Sequence, residues 1–160
     1  MLRGGGTGTF LFDLLEEWES DDRQKVFDID LLSERLIGAT EWVSANEETR
    51  ECSIGFFGAS TGAAAALRAA ATLGDRVRAV VSRGGRPDLA MEYLPRVKAS
   101  TLLLVGGHDQ PVIEMNRNAY YALEGTKEMI IVPGATHLFE EPGALEAVAR
   151  LARDWFVRYL

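Results

Sequence analysis

Gly58-Ala59-Ser60-Thr61-Gly62 is a G-x-S-x-G run lying between an apolar β-rich segment and an Ala-rich one. A turn that passes so sharply from strand to helix forces its serine into a strained backbone region. Glycines two before and two after spare the elements a Cβ collision, and the hydroxyl is held out above the sheet. With 16 Gly and 7 Ser in the chain, chance gives about 0.07 such runs before any strand or helix is required around them. A serine is a weak nucleophile until a base takes its proton, and the chain has two histidines. His137 ends Pro133-Gly134-Ala135-Thr136-His137, a small-residue loop after an apolar run, and is the better placed. His108 in Gly106-Gly107-His108-Asp109 is the other candidate base. Asp109 is the natural acid to hold the imidazole tautomer and stabilise the imidazolium. The order Ser60, Asp109, His137 is the one that accompanies this kind of serine turn.

Such residues meet only if a sheet brings them to one edge. The chain alternates short β-rich apolar runs with longer helical ones, the pattern of a parallel sheet covered by helices. Strands are expected at Thr9–Leu15, Ser53–Phe57, Val77–Ser82, Thr101–Val105 and Glu128–Val132. A helix is expected from Ile29 to about Ala45, with Asp28 or Asp30 as its N-cap. A second runs through the alanines after Gly62 and stops at Gly74. A short helical stretch is expected around Leu89–Tyr93 and a helix over Val112–Leu123, and a last one opens with Pro142 in its first turn. The fold class is α/β, a three-layer α/β/α arrangement around a mainly parallel sheet of about five strands, with residues 1–160 as a single domain.

Composition narrows the partners. The 160 residues carry a net charge of −7, which opposes a generic grip on a phosphate backbone and argues against nucleic acid. No run approaches the roughly 18 apolar residues of a spanning helix, so no membrane partner is expected. The single Cys52 forms no internal disulfide, and the expected compartment is cytoplasmic. No cofactor and no metal is called for. Arg83 and Arg86 follow the third expected strand at the same edge as Ser60, where they would pair with a substrate carboxylate or, structurally, with Asp88 or Glu92. Asp13 reads as a capping or solvated residue, Cys52 as packing, and Glu16, Glu17, Glu19, Asp21 and Asp22 as a wet acidic loop.

The Gly58–Gly62 run, Val105-Gly-Gly-His-Asp109 and Pro133-Gly-Ala-Thr-His137 together resemble the α/β-hydrolase superfamily, and within it the dienelactone-hydrolase-like members. The resemblance extends to Phe12-Asp-Leu-Leu15 and Ser82-Arg-Gly-Gly-Arg-Pro-Asp88. It implies acyl transfer to Ser60, then hydrolysis by a water that His137 deprotonates, with the Thr61 backbone N–H as one oxyanion donor. Relatives take the second donor from a Gly-rich or His-Gly loop after an early strand. Gly4-Gly5-Gly6-Thr7-Gly8 is a poor substitute, since it leads into an expected strand rather than out of one. Dienelactone hydrolases proper use a cysteine where this chain has Ser60, so lactone cleavage is not implied. The resemblance also implies about eight strands, so the chain is expected to begin at the relatives' fourth. Either Thr9–Leu15 pairs with Ser53–Phe57, or an unpaired edge invites a homo-oligomer. Two functions follow as expectations. One is a serine hydrolase of small carboxylic esters or related acyl compounds with a small-molecule acyl substrate in an open cleft. The other is a truncated or degenerate domain with a structural or interaction role.

Overall fold

A computed structural model describes residues 6–160. Four parallel strands, β1 (Ile54–Ala59), β2 (Val77–Arg83), β3 (Ser100–Gly106) and β4 (Lys127–Val132), lie side by side in chain order. Parallel neighbours need crossovers, and successive right-handed ones advancing the same way put every connection on one face. That face carries α3 (Thr61–Leu73), the 3₁₀ turns of Pro87–Arg96 and α4 (Gln110–Ala122), whose Ala64–Leu67, Ala69, Ala70, Leu94 and Ala119 share one core with Phe56, Val80 and Leu103. Alternate strand residues Ala79, Val81, Leu102 and Leu104 point the other way, onto Val148, Ala152, Trp155 and Phe156 of α5 (Ala144–Tyr159). The three-layer α/β expectation is thereby met.

Why α3 is so rich in alanine becomes clear from what covers it. The short α1 (Arg23–Val26) leads into α2 (Ile29–Ala45), whose N-cap is Asp28, its Oδ1 accepting from the Leu31 N–H at 2.9 Å. Helix α2 packs on the side of α3 away from the sheet, where the Ser33 hydroxyl donates to the Ala65 carbonyl and Arg68 pairs with Asp30 at 2.6 Å. Held between sheet and helix, α3 buries mostly small side chains, Ala63–Ala66, Ala69 and Ala70, with Leu67 as its one large fully buried side chain.

Several expectations are corrected. The sheet has four strands among the described residues, not five, because Thr9–Leu15 forms neither helix nor strand. It is apolar enough for a buried strand, yet Leu11 is 94% exposed and the Phe10 ring stacks on Trp42 of α2 instead. Leu14 and Leu15 pack on the α3-side core, and Arg35 of α2 donates to the Leu14 carbonyl at 2.8 Å, so α2 takes up this segment. The acidic segment after it is not uniformly wet: Glu19 is buried between Lys25 at 2.8 Å and Arg35 at 2.5 Å. These two cations, Arg35 first, hold its carboxyl far below the ordinary glutamate range. Cys52 is exposed rather than packed, and α5 starts at Ala144, so Pro142 precedes its first turn. Of the Gly4–Gly8 tract, Gly4 and Gly5 lie outside the described residues. No helix among the described residues is long and apolar enough to cross a membrane.

Candidate active site

Because the strands are parallel, their C-terminal ends share one edge. Ala59 pairs with Arg83, Arg83 with Leu104, and Gly106 with Val132. The residues immediately beyond are Ser60, Gly84–Arg86, Gly107–Asp109 and Pro133–His137. Ser60, Arg86, His108, Asp109 and His137 therefore fall on loops directly beyond this edge, with Arg83 as the last residue of β2 and Thr61 as the first of α3; Asp13 lies outside these elements and loops.

Ser60 takes φ 50° and ψ −124°, a conformation L-residues avoid, as the residue before the first turn of α3. A serine at an N-cap ordinarily spends its hydroxyl on the helix's own N–H groups; here it makes no such bond. A Cβ on Gly58 would lie 2.5 Å from the Gly62 carbonyl oxygen and 2.7 Å from Ala63 Cα, so only glycine lets α3 leave the strand this abruptly. The second glycine does not share that role, because a Cβ on Gly62 would meet nothing within 4 Å. Thr61, the first residue of the 13-residue α3, places its N–H at the positive end of the helix dipole.

The His137 Nδ1 lies 2.7 Å from Asp109 Oδ2, the carboxylate mostly buried and the imidazole 40% exposed. A carboxylate only accepts, so Nδ1 carries the hydrogen toward Asp109, and in the neutral ring Nε2 is the nitrogen left with a lone pair. The two loops are stitched together to make this pair. Gly107 N–H donates to the Val132 carbonyl and His108 N–H to that of Ala135, both at 2.9 Å. A Cβ on Gly106 would come within 2.5 Å of the Thr136 carbonyl oxygen and 2.6 Å of that of Ala135. His108, the other candidate base, is thus tied by its backbone to the loop that carries His137.

Ser60 and His137 are linked through the loop after β2. The Ser60 N–H donates to the Arg83 carbonyl at 3.3 Å, and the Arg86 N–H returns to the Ser60 carbonyl at 3.0 Å. A Cβ on Gly84 would sit 3.2 Å from the His137 carbonyl oxygen and 3.6 Å from its Nδ1. The two arginines separate here. Arg86 makes a two-pronged pair with Asp88, both bonds 2.8 Å, which raises its pKa. Arg83 donates to the Leu138 carbonyl, lies over the Phe139 ring, and is pushed below its ordinary value by burial. Among the described residues no group of His, Cys, Asp and Glu is arranged to hold a metal ion.

Sequence reasoning missed two residues that shape the histidine loop. Phe139 is fully buried at φ 58°, anchoring the chain two residues past His137. Glu141 accepts from the Thr136 N–H at 3.1 Å, and hydrogen bonding with Thr136, first from its side chain, lowers its pKa. An apolar residue and an acid after a loop histidine carry no motif, so no local signal marked them.

Comparison with known proteins agrees with this architecture. The model of the "Dienelactone hydrolase family" matches residues 19–159. A crystal structure of a dienelactone hydrolase from Anabaena variabilis superposes with a TM-score of 0.88 at 56% identity, covering 92% of this chain and 70% of that one. The esterase domain of a Rhodothermus marinus protein shares the fold with a TM-score of 0.68 at 23% identity, over 79% of this chain and 68% of that one. Two Mycobacterium tuberculosis proteins with a provisional phosphoribosyl transferase name are 56% identical over all 160 residues. The chain spans 36% of the length of these curated relatives. With the family model running from the buried Glu19 to the end of α5, and so across every loop of the site, the chain belongs to the dienelactone hydrolase family.

Proposed function

We propose that this chain is a serine hydrolase of small carboxylic esters or related acyl compounds, working in the cytoplasm, where its single cysteine stays a thiol. The observation that carries it is the 2.7 Å pair between Asp109 and His137, on loops that share a sheet edge with a strained serine whose hydroxyl its own helix does not use. Nε2 of His137 takes the Ser60 proton as Oγ attacks the acyl carbon, and Asp109 holds the ring and stabilises the imidazolium. The Thr61 N–H meets the developing oxyanion. His137 then protonates the leaving alcohol, and a water that it deprotonates releases the acid from Ser60. Of the two arginines, Arg83 is the one suited to a substrate carboxylate, since Asp88 already occupies Arg86.

The transferase name belongs to chains of which this one spans 36%, and we assign that chemistry to their remaining length. Phosphoribosyl pyrophosphate is accordingly expected to leave the melting temperature unchanged. A second reading, a domain with little activity and an interaction role, is favoured by the outer edge of β1, with which no strand among the described residues pairs. One experiment separates the two. A fluorophosphonate probe is expected to modify the purified protein and to spare Ser60→Ala; no labelling, or equal labelling of both, leaves the interaction role.

A further inference from the structure

The loop that brackets Ser60 has no regular structure of its own, so something outside it must fix it. Gly84 N–H donates to the Leu104 carbonyl at 2.8 Å, and Arg83 and Arg86 hold the two ends of the Ser60 peptide. Gly85 between them is pressed so closely that a Cβ there would overlap the Ser82 hydroxyl and come within 2.7 Å of Ala63 Cβ on α3. One side chain from a distant element reaches this point. Asn116, two turns into α4 and 0% exposed, donates from Nδ2 to the Gly85 carbonyl at 3.0 Å and to the Val112 carbonyl at 2.8 Å. Both partners are acceptors, so the amide nitrogen must face them.

Packing alone does not call for an asparagine here. A leucine fills nearly the same space without burying a carboxamide, and Oδ1 of Asn116 accepts no hydrogen bond from the described residues. An unmatched buried acceptor costs free energy, which leaves the bond to Gly85 as the feature that the asparagine supplies and a hydrocarbon cannot. The same helix has Asp109 as its N-cap. A single rigid element therefore carries the acid that orients His137 at its start and the amide that holds the serine's loop two turns later.

We infer that Asn116 is a positioning residue for Ser60, acting through the Gly85 carbonyl to keep the backbone around the nucleophile in its strained, attacking geometry. The inference rests on the serine-nucleophile reading above for its kinetic consequence, but not for its structural one. Asn116→Leu is expected to speed amide hydrogen exchange at Ser60 and Arg86 by at least about tenfold while the amides of β3 keep their protection. In fluorophosphonate labelling it should lower the maximal inactivation rate by about 10- to 100-fold, with the probe's half-saturation within about twofold of the parent, as a misplaced nucleophile requires. Asn116→Ser, too short to reach Gly85, should behave the same and serves if the leucine variant does not fold. Unchanged exchange at Ser60 and Arg86, or faster exchange spread evenly into β3, overturns the inference, as does a parent-like inactivation rate. If the parent protein itself is not labelled, the hydrolase reading falls and the exchange measurement alone decides the role of Asn116.

Discussion

Ser60 and Phe139 are the two non-glycine residues at positive φ among those described, and they sit in the two segments that carry the proposed nucleophile and the proposed base. Strain of this kind persists only where the surroundings over-determine it. Removing the side chain at position 60 tests whether it is real. Ser60→Gly should be more stable than Ser60→Ala by about 1 kcal/mol, the ~1–3 kcal/mol of strain less the ~0.5–1 kcal/mol of glycine's chain entropy. Urea denaturation of the two variants measures this, and equal midpoints would show a relaxed turn. Asp109→Asn should leave the fold intact and cut kcat on the order of 10⁴-fold, because an amide no longer fixes the imidazole tautomer; ester turnover against pH is the measurement. Glu19 makes the third prediction. Its folded carboxyl titrates below the ordinary 4.5, so in that window the unfolded chain binds the extra proton. The stabilisation is then complete above 4.5 and is lost as pH falls through the folded value. Urea midpoints of the parent and Glu19→Gln should differ most near neutrality and converge in acid. The strained turn at Ser60 and the pairing of Asp109 with His137 were legible from spacing, because a strand-turn-helix serine leaves a local mark. Glu19 was not, because its partner Arg35 lies 16 residues away and pairing across a fold has no signature in a run of acids.

Elements that lie within the sheet were readable because burial on both faces writes a continuous apolar run. Strands β2 and β3 are the clearest cases, with Val80, Val81 and Leu102–Val105 all buried. Thr9–Leu15 carries the same mark for a different reason. Its Leu14 and Leu15 pack on the α3-side core and its Phe10 ring stacks on Trp42 of α2, and apolar composition does not tell a ladder partner from a helix surface. The loops between elements were legible as glycine-rich, but not which glycine is needed where. Gly106 is the one that seats the histidine loop, since its missing Cβ is what lets the Thr136 and Ala135 carbonyls approach within 2.5 and 2.6 Å. Gly106→Ala should therefore push the loop away from Asp109. The expected result is a loss of about 1–3 kcal/mol in stability from overpacking, accompanied by a fall in activity larger than the lost folded fraction explains. Gly62→Ala, which meets nothing, should cost little of either. Thermal melts alongside ester turnover compare the two, and a Gly106→Ala enzyme with normal turnover would show that the loop tolerates the shift.

At the scale of the whole molecule, the sheet ends at β1 on one side, and nothing among the described residues pairs with its outer edge. Helix α5 closes on β1 at Gly55, where a Cβ would come within 2.7 Å of the Phe156 ring, but Phe57 further along the strand is 45% exposed in a groove of about 260 Å³ with Leu145, Val148, Ala149, Ala152 and Arg83. Folded proteins ordinarily cover or charge such an edge, but Ile54–Ala59 holds no charged residue. The Anabaena relative has about 30% of its chain outside the matched region, since the match covers 70% of it. Among the described residues, β1 thus presents an unpaired, uncharged edge beside an apolar groove. A second copy pairing edge to edge through β1 is the expected outcome, visible as concentration-dependent sedimentation at about 100 μM and above. The net charge of −7 repels the copies at long range, so association should strengthen as salt screens it. Phe57→Lys adds a charge to the edge and should return the chain to a monomer without touching Ser60, Asp109 or His137. Association that weakens with salt, or that survives Phe57→Lys, would place the contact elsewhere and assign it to opposite charges rather than to the open strand.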